Sequence, residues 1–274
     1  MPYRHGHYYL LVLIVLTVVA FWPRYFSSLS SASVSLHFHG LTATLWIAFL
    51  AFQSWAIHNR YNEWHRAIGI AGLTIFPFFF AGTVLITHTM AVNFAAGDLF
   101  DGRFGARFVA YDLIDLVAIA GLFWSGLRWR RKVHLHARYM FATVFFLLAP
   151  IFSRLLIQFV PGLGLTPPDF VRLPFDFELA SFGAFLLALF LAWKEPKHGR
   201  PWLITAGLIG LQMVLFSTIG DFAPWEGMVR LIATVSEPLL FGSAVAVGAI
   251  ISWLGWNSIP LRQTRVKAPH TADA

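Results

Sequence analysis

No cysteine occurs among the 274 residues. That excludes disulfides, thiolate zinc sites, iron–sulfur clusters, covalently attached c-type haem and cysteine nucleophiles. Charge is scarce as well. Only 12% of the residues are Asp, Glu, Lys or Arg, about half the share of an average soluble protein. So few charges cannot clothe a 30.8 kDa globule in water-facing groups, and soluble enzyme folds are excluded on that ground. Acids are the scarcer sign, 13 against 20 Lys and Arg, for a formal charge of +7. In so apolar a chain this excess signals headgroup attraction and topology, and no nucleic-acid motif accompanies it.

What is abundant is hydrocarbon: 58% of residues are hydrophobic and the mean hydropathy is +0.67. Apolar runs of membrane-spanning length cover residues 8–26, 37–57, 65–88, 107–127, 137–158, 175–193, 202–219 and 231–253. They predict an all-α, polytopic transmembrane helix bundle of about eight spans, forming one domain over residues 1–258. A short disordered cytoplasmic tail is expected over 259–274. The first run is expected to stay as an anchor, because it is too long for a signal-peptide core and is followed by Trp22-Pro23-Arg24 rather than a small-x-small cleavage site.

Alternate connecting segments hold Arg4; Arg60 and Arg66; Arg128, Arg130, Arg131, Lys132 and Arg138; Lys194, Lys197 and Arg200; and Arg262, Arg265 and Lys267. The other segments hold only Arg24, Arg103, Arg107, Arg172 and Arg230. By the positive-inside rule both termini are cytoplasmic, as expected for a multi-pass protein of a bacterial inner membrane. The outward segments, rich in Ser, Gly, Asp and Pro, read as turns, and Trp22, Trp55, Trp64, Trp129, Trp193, Trp202 and Trp225 near span ends read as interfacial anchors.

Helix rise separates the ionisable residues into two centres, since His39 to His58 spans roughly 28 Å and His65 to His88 roughly 35 Å at about 1.5 Å per residue. The outer centre gathers His37, His39, His88, Asp112, Asp115, Arg154, Glu178 and Glu237. Each ionised group deep in a span costs on the order of 2.5 to 3.5 kcal/mol and needs a partner. Asp112 and Asp115 share a helix face, with Arg154 expected at similar depth, so a buried Asp115–Arg154 pair is one expectation. A second expectation adds His39 and His88 to the two aspartates as ligands of zinc or iron. His37 and His39 point about 200° apart on a helix, which favours His39 as the inward one.

The inner centre holds His58, His65, His134 and His136. His65 and His136 open spans that run in the same direction, so they are candidates for bis-histidine ligation of one haem b, with Gly69 and Gly72 leaving room for the macrocycle and Arg66 and Arg138 meeting its propionates. The plainer alternative is that these histidines face anionic headgroups.

The pattern of His39-Gly40, Trp46, Gln53, His65-Arg66, an Asp in the fourth span, His136-x-Arg138-x-Met140, Pro150 and Arg154 resembles a family of uncharacterised bacterial multi-pass membrane proteins over residues 37–158. That resemblance supports the choice of residues and implies no reaction. A weaker likeness is to the ascorbate-reducible b-type cytochromes. It implies haem ligands at His39, His65 and His136 but departs where Asp112 and Asp115 stand in place of a fourth histidine.

Three functions follow as expectations. One is a membrane redox protein with a single haem b near the cytoplasmic face, serving a redox partner. Another is a zinc- or iron-dependent membrane enzyme with an outer-leaflet His/Asp site and an apolar small-molecule substrate. The last is a non-enzymatic transporter, assembly factor or lipid-binding protein.

Overall fold

The computed structural model describes residues 2–163 and 172–258, and these are all helix and turn, with no strand among them. The expected tail over 259–274 and the middle of the 161–174 turn lie outside the described residues. Ten α-helices follow one another: α1 (Gly6–Phe21), α2 (Val34–His58), α3 (Asn62–Ala96), α4 (Asp101–Arg128), α5 (Val133–Ala142), α6 (Leu148–Phe159), α7 (Leu173–Lys194), α8 (Arg200–Thr218), α9 (Ala223–Ala233) and α10 (Glu237–Asn257). Among the described residues seven segments are long and apolar enough to cross a membrane: α2, α3, α4, the combined stretch Val133–Phe159, α7, α8 and α10. The protein is an integral, multi-pass helical membrane protein. α1 is apolar but has 16 residues, about 24 Å of helix against a hydrocarbon core of about 30 Å.

Local chemistry sets the boundaries. Ser33 accepts the Leu36 N–H at 3.2 Å and starts α2. Gly97 closes α3 in the left-handed region at φ 73°, its N–H reaching back to the last carbonyls. The span expected over 137–158 is helical but not uniform, because residues 143–147 tighten into a 3-10 turn between α5 and α6. Pro150 cannot donate to the Phe146 carbonyl, and its ring crowds that turn. The run expected over 231–253 is also divided. Pro238 has no N–H and sits at the start of α10 after an extended Ser236, so residues 231–233 end the separate helix α9. Glu237 therefore stands in the first turn of α10, not within a membrane cavity.

α3 and α4 form the centre. α2 and α10 pack on α3; α10 and α8 pack on α4; α1 covers α2 and α6, and α7 joins α6 to α8. Close approach depends on two glycines. A Cβ at Gly82 would lie 3.2 Å from the His39 Cα, and one at Gly248 would lie 2.6 Å from the Pro77 Cα. In the core, the fully buried Trp46 is ringed by Phe49, Phe76, Phe79 and Phe123 at centroid distances of 5.3 to 5.7 Å and donates to Thr143 Oγ1 at 2.9 Å. Trp22, Trp55, Trp64 and Trp193 are exposed, as interfacial anchors should be. Trp202 is not: it is buried, and its Nε1–H donates to the Tyr3 hydroxyl at 2.8 Å.

Candidate functional site

The end of the bundle opposite the basic loops contains a cavity of about 870 Å³. Its wall is mostly apolar, from Ile14 of α1, Ile47 of α2, Ile86 of α3, Ile119 of α4 and Phe146 before α6. From Leu36 to Ile47, both lining it on α2, the depth is about 16 Å, roughly one leaflet. The polar groups that break this wall are Arg24, Tyr25, His39, Asp112, Asp115 and Arg154 with a few hydroxyls and Gln158. Much of the expected outer centre therefore does share one enclosure.

Within it the side chains sort by charge. Arg154 donates to the Pro150 carbonyl of its own helix at 2.7 Å, and its guanidinium lies over the Phe21 ring, 4.3 Å from the centroid. Its electrostatic neighbours are Arg24 and His39. The His39 backbone lies against Gly82, and Nδ1 is buried without a hydrogen-bond partner. The neighbouring His37 is spent elsewhere, 2.7 Å from the Tyr25 hydroxyl, so His39 is the inward one as its phase required. Deeper in the cavity, Asp112 accepts from Thr87 Oγ1 at 3.0 Å and Asp115 accepts from Gln212 Nε2 at 2.6 Å.

The buried Asp115–Arg154 pair expected from the sequence is absent. Ile157 packs against the cluster of Phe104 and Leu173, and Ala149 belongs to the cluster of Tyr111, Phe177 and Phe216. Arg154 thus lies roughly 8 to 12 Å nearer the end of the bundle than the two aspartates. The ion pairs among the described residues are Arg107–Asp221 and Arg138–Glu195. The expected metal set of His39, His88, Asp112 and Asp115 does not converge either, and no three His, Asp or Glu side chains among the described residues are grouped to hold a metal ion. His88 is buried but does not line the cavity. It is two residues from the cavity-lining Ile86, about 200° round the helix. Glu178 accepts from Ser217 Oγ at 2.9 Å, away from the cavity.

The inner centre separates into pairs. His134 stacks on His198 with centroids 4.9 Å apart, and His58 Nδ1 lies 2.7 Å from the Ser54 carbonyl. His65 and His136 are electrostatic neighbours. His136 donates from Nδ1 to the Gly126 carbonyl at 2.8 Å, which leaves Nε2 for a ligand. His65 Nδ1 faces Gln53. The Gln53 amide satisfies its surroundings when its NH2 donates to the His65 carbonyl (3.1 Å) and Nδ1 (2.6 Å) while its oxygen accepts from the Gly69 N–H (3.0 Å). In that orientation the His65 proton sits on Nε2. Gly69 meets little besides this amide, whereas the space at Gly72 is filled by the Phe49 ring. Arg66 is exposed, and Arg138, fully buried, is committed to Glu195, to the His134 carbonyl at 2.9 Å and to the face of Tyr3.

No family model, curated protein or solved structure matches this chain. The residues that sequence reasoning missed as site residues are Arg24, counted only as an outward cation, Tyr25, left within the first apolar run, and the hydroxyl and amide that hold the aspartates. Gln212, a lone amide in the apolar run of α8, was the available signal for the last of these.

Proposed function

We propose that the protein binds an amphipathic small molecule, apolar along most of its length and polar at one end, within the leaflet farthest from the basic loops. The observation that carries this reading is the 870 Å³ cavity, large enough for a drug- or lipid-sized ligand, apolar over most of its wall, with a few convergent polar groups at two levels. It is the lipid-binding member of the functions expected from sequence. The test fills the space: Ala43→Phe and Ile86→Phe, both in the wall, should each weaken displacement of a fluorescent long-chain alcohol probe from purified protein by tenfold or more. Full probe binding in folded, cavity-filled variants rejects the proposal.

A second reading is one haem b between His65 and His136, supported by the anchored Nδ1 of His136. His65 fits less well: its Nδ1 lies 3.3 Å from the Gln53 carbonyl, which would hold the proton that ligation through Nε2 needs there, but the Gln53 amide in its satisfied orientation donates to the same nitrogen. Arg138 is unavailable to a propionate, and Gly72 offers no room. The group would supply electron transfer. Protein expressed with ample haem should show a Soret band that shifts on dithionite reduction and is lost in His136→Ala; a colourless preparation ends this reading.

A further inference from the structure

Arg24, His39 and Arg154 line the same end of the cavity and are electrostatic neighbours, and none of them is in ion-pair contact with a carboxylate among the described residues. Arg24 is exposed and Arg154 half-buried, and two guanidinium groups gathered at the rim of an apolar cavity repel unless something of opposite sign joins them. Among the described residues no carboxylate does: Asp112 and Asp115 lie deeper and are held by Thr87 and Gln212. Arg154 has Pro150 as its hydrogen-bond acceptor, so the rest of its planar donor fork is uncommitted, and the His39 ring lines the cavity beside it. Phe21 under the guanidinium fixes its plane without neutralising it.

We infer that this end of the cavity receives the phosphate of a phosphate-bearing amphiphile whose chain occupies the apolar body beyond it. The inference rests on the ligand-binding reading above. A phosphate matches the site because a guanidinium fork engages two of its oxygens side by side while a second cation reaches another. The level fits too: Arg154 is five residues from the end of α6, about 7 Å below that end, where headgroup and acyl chain meet.

The experiment measures displacement of the fluorescent alcohol probe from the full-length protein in neutral detergent. Competitors are one long-chain alcohol, its phosphate monoester, the carboxylic acid of equal chain length, and inorganic phosphate alone. The phosphate monoester should compete at least tenfold better than the alcohol and better than the acid. Inorganic phosphate should not compete at millimolar concentration, which assigns the ligand to the lipid and not the free ion. Arg154→Gln should bring the phosphate-to-alcohol preference to near unity. Arg24→Gln, in a connecting segment where folding is less at stake, should lower it severalfold. Equal displacement by phosphate and alcohol, or a stronger effect of the acid, overturns the phosphate assignment while leaving the cavity reading intact. Displacement by none of the amphiphiles overturns the cavity reading itself.

Discussion

The contact between Trp46 and Thr143 joins α2 to the tightened turn between α5 and α6, and it offers a quantitative test of how the core is held. The indole N–H donates to Thr143 Oγ1 at 2.9 Å, and the threonine hydroxyl donates to the Met140 carbonyl at 2.7 Å. Trp46→Phe keeps a ring among Phe49, Phe76, Phe79 and Phe123 but loses the bond and part of the packing, at about 2 kcal/mol. Thr143→Val leaves the indole N–H in a dry interior with no acceptor, also about 2 kcal/mol. In the double variant no orphaned donor remains, so it should cost about 3 kcal/mol and not the sum of about 4. The expected coupling is about 1 kcal/mol, within the roughly 0.6 to 1.7 kcal/mol measured for hydrogen bonds between membrane helices. Unfolding in mixed micelles with increasing SDS, followed by far-ultraviolet circular dichroism, gives all four stabilities without depending on tryptophan emission. Additivity within about 0.3 kcal/mol would refute the reasoning.

Gly82→Ala should cost about 1 to 2 kcal/mol in the same assay, since its Cβ meets the His39 backbone, whereas Gly207→Ala, with open space around it, should be neutral or slightly stabilising. Removing the partner of the fully buried Arg138 by Glu195→Ala should destabilise by about 3 kcal/mol, and Glu195→Asp should recover part of that. Asp98 accepts the N–H groups of Phe100 (2.8 Å) and Asp101 (3.0 Å) at the head of α4, and these bonds hold its carboxyl below the usual range. A depressed carboxyl stabilises the fold above its unfolded pKa, near 4, and loses that contribution as pH falls through the folded value. The stability gap between wild type and Asp98→Asn, about 0.5 kcal/mol at neutral pH, should therefore close in acid; a gap that widens there contradicts the assignment.

Helix class was readable because hydrocarbon forces every backbone group into local hydrogen bonds, so apolar run length marks a helix; the number of spans was not, since the run at 8–26 forms a helix of 16 residues and seven membrane-length segments stand among the described residues where eight were expected. The choice of His39 over His37 was readable from helical phase. The phase also separated His88 from the cavity, but chemical type alone had grouped it with His39. The Asp115–Arg154 pair failed for a different reason. Depth inferred from run length is uncertain by a turn or more, and a turn or two of helix separates an ion pair from two groups on different levels of one cavity. The division at 234–236 was signalled by Pro238, which hydropathy averages over. Arg24 served only as a topology signal because the helix stops at Phe21, five residues short of the apolar run, and nothing in the sequence tells which way the chain then folds over the bundle.

The five-residue 3-10 turn at 143–147 changes the angular bookkeeping of its span. At about 120° per residue instead of 100°, it advances the chain by roughly 100° more than a uniform helix would. His136 and Arg154, on either side, are thus aimed by two registers, and a single helical wheel drawn through both misplaces one by more than a quarter turn. Because the chain contains no cysteine, a scan of introduced thiols would meet no native background, and its labelling pattern should jump in phase where those five residues lie.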